Sequence, residues 1–231
     1  MPVPGTSPVK RSTLRQQIAE ALYDEMLAGR LPAGRQFTVR EVADQYGVSA
    51  TPVREALLDL VAQGLLDVEE HRGFRVHEFT IEDFRHMIQA RSMVVEGLFR
   101  QSLAVGTALM RSTPEAMVSL HRRAEEAARA ARSGDLDILI GYDLRFWGEL
   151  VGFIGNPYIL EFLQRLRAQT WVFTVPYLRG VPDLRGKLWA DHPALADALG
   201  RGDASAGERL IGAYNDDFQG LIEGLVSRGR P

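Results

Sequence analysis

The stretch GRQFTVREVADQYGVSATPVREALLDLVAQGLLDVEEHRGFRVH, residues 34–77, decides how this chain folds. Val39, Val42, Ala43 and Tyr46 recur at helical spacing, so residues 38–46 can bury one face of a short helix. Thr38 with Glu41 three positions later makes a capping-box pattern at its start. Gly47 can take a left-handed conformation and stop it, with Val48 to plug the corner. Ser49 or Thr51 then caps a second helix, where Pro52 is tolerated because first-turn amides have no intrahelical partner. Val53, Leu57, Leu60 and Val61 form that helix's buried stripe, and Gly64 ends it.

Residues 65–69 and 73–77 alternate in strand fashion around His71, Arg72 and Gly73, which reads as a β-hairpin. Leu14, Ile18, Leu22 and Met26, spaced by four, give a preceding helix over 12–28. Three helices and a hairpin in this order are a winged helix-turn-helix, a unit that lays one helix in a DNA major groove. Thr51, Arg54 and Glu55 fall off the buried stripe near the N-terminal end of the second helix, where a reading helix meets DNA.

These residues resemble a known family. LPAG (31–34), residues 39–47, SATPVREAL (49–57) and GLL (64–66) are similar to the DNA-binding domain of GntR-type bacterial transcription regulators. YDLRFWGELVGFIGNPYILEFL (142–163) and DHPALADALGRGD (191–203) are similar to the FadR-type C-terminal ligand-binding domain called FCD. The resemblance implies base or phosphate contact by Arg40 and Arg54, phosphate support from Ser49 and Thr51, and entry of the wing at Gly73 into the minor groove. Arg35, Arg72 and Arg75 also lie where the motif meets phosphate. Family members often carry Arg where this chain has Ala50, which puts the usual half-site in doubt.

The remaining chain parses into helices at 81–105, 114–132, 135–153, 157–179, 185–200 and 203–227. Thr113-Pro114-Glu115 and Asn156-Pro157 start two of them, and Gly134, Gly155 and Gly200 punctuate ends. Arg122-Arg123 and Glu125-Glu126 read as an exposed charged face. The expected architecture is mostly α: residues 1–10 a disordered segment, 11–78 the winged helix-turn-helix, and 79–231 an all-α helical bundle for effector binding and dimerisation.

By resemblance, the bundle's cavity would hold a divalent metal on an aspartate, a histidine four residues later and two further histidines. Asp143 and His192 match two positions, whereas Trp147 and Tyr214 stand at the others. An indole nitrogen has no lone pair to offer, and a phenol is a poor ligand at neutral pH. No metal or other cofactor is therefore expected, the remaining route to one being a shifted site that recruits Asp191, Asp216 or Asp217, and His192 is left to bond Asp143 or Tyr214. The two aromatic rings either fill the space or line a smaller, more apolar pocket. Arg91 matches an arginine near the family's ligand site and could clamp a small organic acid, or else pair with Glu96 or Asp143.

Bulk properties are compatible with this reading. With 231 residues and no cysteine, the chain has ample material for a core and no disulfides or thiolate metal sites. No stretch approaches a membrane span, so a cytoplasmic protein with no membrane partner is expected. Net charge is −3, and residues 1–78 carry nine Lys/Arg against eleven Asp/Glu, so DNA affinity must come from local placement and from pairing of two copies. No nucleophile elbow, HExxH helix, Walker loop or dinucleotide fingerprint is present, and Asp143 with His192 lacks a nucleophile beside it; no catalysis is expected. The two readings carried forward are a DNA-binding repressor modulated by a small molecule and a ligand-independent repressor whose C-terminal core serves only dimerisation.

Overall fold

Capping and glycine stops set the helix boundaries. The computed structural model describes residues 13–105 and 113–229; the expected disordered segment, residues 1–10, lies outside them. These residues form two compact units, one of residues 13–26 and 30–77 and one of residues 27–29 and 78–229.

In the first unit, α1 (Leu14–Leu27) buries Ile18, Leu22 and Met26, while Leu14 in its opening turn faces solvent at 46% exposure. β1 (Gln36–Phe37) leads into α2 (Val39–Tyr46), where Thr38 and Glu41 close a reciprocal capping box. Gly47 takes φ 65° and ends it. α3 (Ala50–Ala62) buries Val53, Ala56, Leu57 and Leu60. Ser49 holds its N-cap position, but its hydroxyl makes no capping hydrogen bond, unlike the expectation that Ser49 or Thr51 would cap. The buried stripe includes Ala56, and Val61 is only half-buried.

β2 (Leu66–Glu69) and β3 (Gly73–Val76) make the expected antiparallel hairpin. A third strand was not legible: β1 pairs with β3, so the sheet order is β1-β3-β2. Two residues are too short for a periodic signal. This pairing explains Gly73. Its φ is +98°, and a Cβ there would stand 2.5 Å from the Phe37 carbonyl oxygen, so glycine is demanded by the crossing of β1.

The second unit is all helical among its described residues: α4 (Ile81–Val105), α5 (Pro114–Ser133), α6 (Leu136–Gly152), α7 (Pro157–Arg179), α8 (His192–Gly200) and α9 (Ala204–Ser227). Thr113, Asp135, Asn156 and Asp203 accept hydrogen bonds from first-turn amides at four of the helix starts. The helix expected from residue 185 begins only at His192. Gly186 is left-handed, and Pro193 fits only a first turn. The alanine-rich face of α5 packs against α6 and α8, α4 lies along α9, and α7 contacts α4, α6 and α9. The core joins Phe99, Leu120, Phe146, Trp147, Leu150, Leu195 and Tyr214. The charged face expected on α5 is only partly solvated: Arg123 reaches Glu149 on α6 at 2.6 Å.

Candidate functional site

Two sites, one exposed and one buried, carry the residues singled out in the sequence. The first is the N-terminal end of α3. Ser49, Ala50, Thr51, Arg54 and Glu55 are exposed there, above a stripe of fully buried residues that holds the helix in place. Arg54 makes no ion pair among the described residues. Ser49's hydroxyl, unused as a cap, is available to a phosphate.

On α2, Arg40 is 92% exposed and 3.8 Å from Asp44, a pair too solvated to hold it. Arg35 is exposed just before β1, and Glu70, His71 and Arg72 form the exposed wing tip, where His71 takes φ 60°. Arg75 departs from its expected place among phosphate-facing cations. It lies in the middle of the sheet, half-buried, with Glu69 at 2.7 Å and Asp67 at 3.4 Å. The alternation of β3 turns Arg75 onto the sheet face that carries those acids. Gly73 lies beyond the tip and is accounted for by β1, so its presence is no sign of a minor-groove role.

The second site is buried in the helical unit around Asp143, which is 1% exposed. Asp143 and Trp147 are one turn apart on α6, so the indole reaches back and donates to Asp143 Oδ1 at 2.9 Å. Arg167 and Trp171 are likewise one turn apart on α7 and donate to Asp143 Oδ2 at 3.1 and 3.0 Å. His192 Nε2, in the first turn of α8, lies 3.3 Å from Oδ1, and the Tyr214 hydroxyl on α9 donates to the same oxygen at 3.4 Å. Arg167 also donates to the Tyr214 hydroxyl at 2.8 Å, and its guanidinium lies 4.3 Å from the Trp147 ring centre.

The electrostatics follow from these contacts. Burial alone would raise the Asp143 carboxyl, but Arg167 and His192 outweigh it and hold it at about 2. Arg91 on α4 is buried and donates to Asn215 Oδ1 at 2.6 Å, with its guanidinium 5.3 Å from the Tyr214 ring centre. Burial, and then repulsion from Arg167, lower it to about 10. Its partner is Asn215, neither Glu96 nor Asp143 as the sequence suggested. Burial pushes the Tyr214 phenol up.

Trp147 and Tyr214 pack ring to ring at 5.0 Å, and Trp189 lies 4.7 Å from His192 and 5.1 Å from Tyr214. A cavity of about 20 Å³ remains beside Asp143, bounded by Trp171, Trp189, His192, Tyr214 and Asp217 among others. That is room for a water-sized group. Arg91 does not line it. His192 Nδ1 and Trp189 Nε1 are buried and make no hydrogen bond among the described residues.

Four of the five expected effector residues (Asp143, Trp147, His192 and Tyr214) thus meet directly, and Arg91 joins them through the Tyr214 face. Arg167, Trp171 and Asn215 were missed. A signal for Arg167 existed, because on α7 it shares a face with Leu163, Thr170 and Thr174, all buried. An arginine on a core-facing helical stripe has to meet a buried acceptor, here the Asp143 carboxylate.

Comparison with known proteins follows the same division. Residues 14–76 match the pattern of the bacterial regulatory proteins of the gntR family, and residues 101–216 match that of the FCD domain. The chain is 28% identical to the HTH-type transcriptional regulator McbR of Escherichia coli over 176 residues, 76% of this chain and 75% of that protein. It is 26% identical over 208 residues to the "Probable D-xylose utilization operon transcriptional repressor" of Paenarthrobacter nicotinovorans, covering 87% and 85% of the two chains. The solved structure of E. coli McbR/YncC shares its fold with a TM-score of 0.69 at 23% identity, covering 94% of this chain and 99% of that one.

Proposed function

The chain belongs to the GntR family of bacterial regulatory proteins and carries an FCD domain, and from that premise we propose that it represses transcription by binding a double-stranded operator as a homodimer. The observation that carries this reading is the exposed start of α3, where Ser49, Thr51 and Arg54 stand together on a helix pinned by its other face. Arg54 and Arg40 are the side chains placed for base or phosphate contact, with Arg35 and Arg72 flanking as phosphate contacts. Two copies would present two α3 helices to a pseudo-palindromic site. Repression is favoured because a relative over most of the chain is named as a repressor. Its relatives are regulators, and the Asp143 carboxylate is already engaged by neighbouring side chains, which argues against catalysis.

Operator titration by fluorescence anisotropy across a salt series tests this. Log Kd should rise steeply with log salt, and Arg54→Ala should weaken binding by about 1–3 kcal/mol with the dimer's mass unchanged. A flat salt response, or an unchanged Kd for Arg54→Ala, removes the assigned interface.

For the helical unit, the geometry favours the ligand-independent reading. A small organic acid clamped by Arg91 requires that side chain to leave Asn215 and the Tyr214 face. The packed rings of Trp147 and Tyr214 instead support a closed core that serves dimerisation. A carboxylate that raises the melting temperature of the wild type, and fails to do so for Arg91→Ala, would reverse this preference.

A further inference from the structure

The divalent metal that an FCD domain suggests does not fit these residues. Among the described residues, no group of three His, Cys, Asp or Glu side chains is placed to hold an ion. Asp143 is the one buried carboxylate here among the described residues, Asp217 at the edge of the adjoining cavity being exposed, and the two Asp143 oxygens face five nitrogen or hydroxyl groups within 3.4 Å. A carboxylate offers about four lone-pair positions, so none is left for a metal.

We infer that the Arg167 guanidinium is the resident cation of this cage, standing in place of a metal ion, and that the helical unit folds and keeps its cage without one. Three contacts hold the charge: the Asp143 carboxylate at 3.1 Å, the Tyr214 hydroxyl at 2.8 Å, and the Trp147 face at 4.3 Å. The two aromatic residues that cannot ligate a metal are the ones that wall the guanidinium, one by cation–π contact and one by a hydrogen bond. Indole and phenol here are therefore more than lost ligands; with Arg167 they form one set. A dication would also meet two buried guanidiniums, Arg167 and Arg91, with Asp143 the one buried carboxylate among the described residues to offset all three.

The test uses the full-length protein. Native mass spectrometry and thermal melts are run after dialysis against EDTA, then with Zn²⁺, Ni²⁺ or Mn²⁺. The wild type should carry no metal and melt at the same temperature throughout. One equivalent of metal that raises the melting temperature and is lost in Asp143→Asn overturns the inference. In a second arm, Arg167→Ala is melted, or refolded from denaturant, with millimolar methylguanidinium. The variant should gain several degrees, or fold only with the additive present, while the wild type does not respond. No response by the variant, or an equal response by both proteins, also overturns it. The metal arm stands on the wild type alone and holds even if the variant cannot be purified.

Discussion

Replacing Asp143 by Asn removes one charge and almost no volume, so its effect isolates the electrostatics of the cage. Asp143 and Arg167 are 1% and 6% exposed and 3.1 Å apart, and Arg91 adds a second buried cation nearby. Removing one partner of such a pair costs about 3–5 kcal/mol, because the other charge is left buried. The amide oxygen can still accept from Trp147 or Trp171, which favours the lower end. For a body of this size, each kcal/mol moves the melting temperature by about 2–4 °C, so Asp143→Asn should lower it by roughly 6–20 °C. All three tryptophans, Trp147, Trp171 and Trp189, lie in the helical unit, and two of them touch Asp143. Intrinsic fluorescence therefore reports this unit without signal from the winged one. Adding Arg167→Met to Asp143→Asn should restore part of the loss, since the orphaned charge goes as well. A drop under about 2 °C, or a double variant whose losses simply add, would refute the coupling.

Three other outcomes are expected. Asp143 sits at about 2 in the folded chain against an ordinary 3.8, so its stabilisation is complete above pH 4 and lost as pH falls through 2; urea melts followed by tryptophan fluorescence should lose roughly 2–3 kcal/mol over that window, and Asp143→Asn should lack this component. Gly73→Ala forces a positive φ on a residue with a Cβ and drives it against the Phe37 carbonyl. It should destabilise the winged unit by about 1–3 kcal/mol, read as faster amide exchange in β1 and β3, with α9 unaffected. Thr38→Ala removes the hydroxyl half of the α2 capping box, leaving the residue-38 amide still able to donate to Glu41, and should cost about 1 kcal/mol, seen as lost exchange protection in α2.

The winged unit was legible almost residue by residue because its signals are local. Thr38 with Glu41, Gly47 and the Val53–Leu57–Leu60 stripe each lie within one or two turns, and each is where the sequence put it. What escaped was β1, whose two residues pair with a strand nearly forty positions away. The helical unit shows the same contrast. Thr113, Asn156 and the glycine stops located the helices, but the start of α8 depended on Gly186 and Pro193 against an apolar run that reads as continuous helix. For the buried site, family resemblance pointed to Asp143, Trp147, His192 and Tyr214. It could not find Arg167 or Asn215, whose partners lie 24 and 124 positions off in sequence. Arg91 was found but given the wrong partner, because an arginine's reach says nothing of which of several acceptors it meets.

The cage around Asp143 also constrains how the chain can change over generations. Residues 143, 147, 167, 171 and 214 share one carboxylate and one guanidinium, so losing either charge alone strands the other in an apolar core. A single substitution that removes either charge should therefore cost more stability than the paired one that removes both. Among descendants, Arg167 should be inherited with Trp147 and Tyr214 as a block, and the three positions should co-vary even though they lie on three different helices.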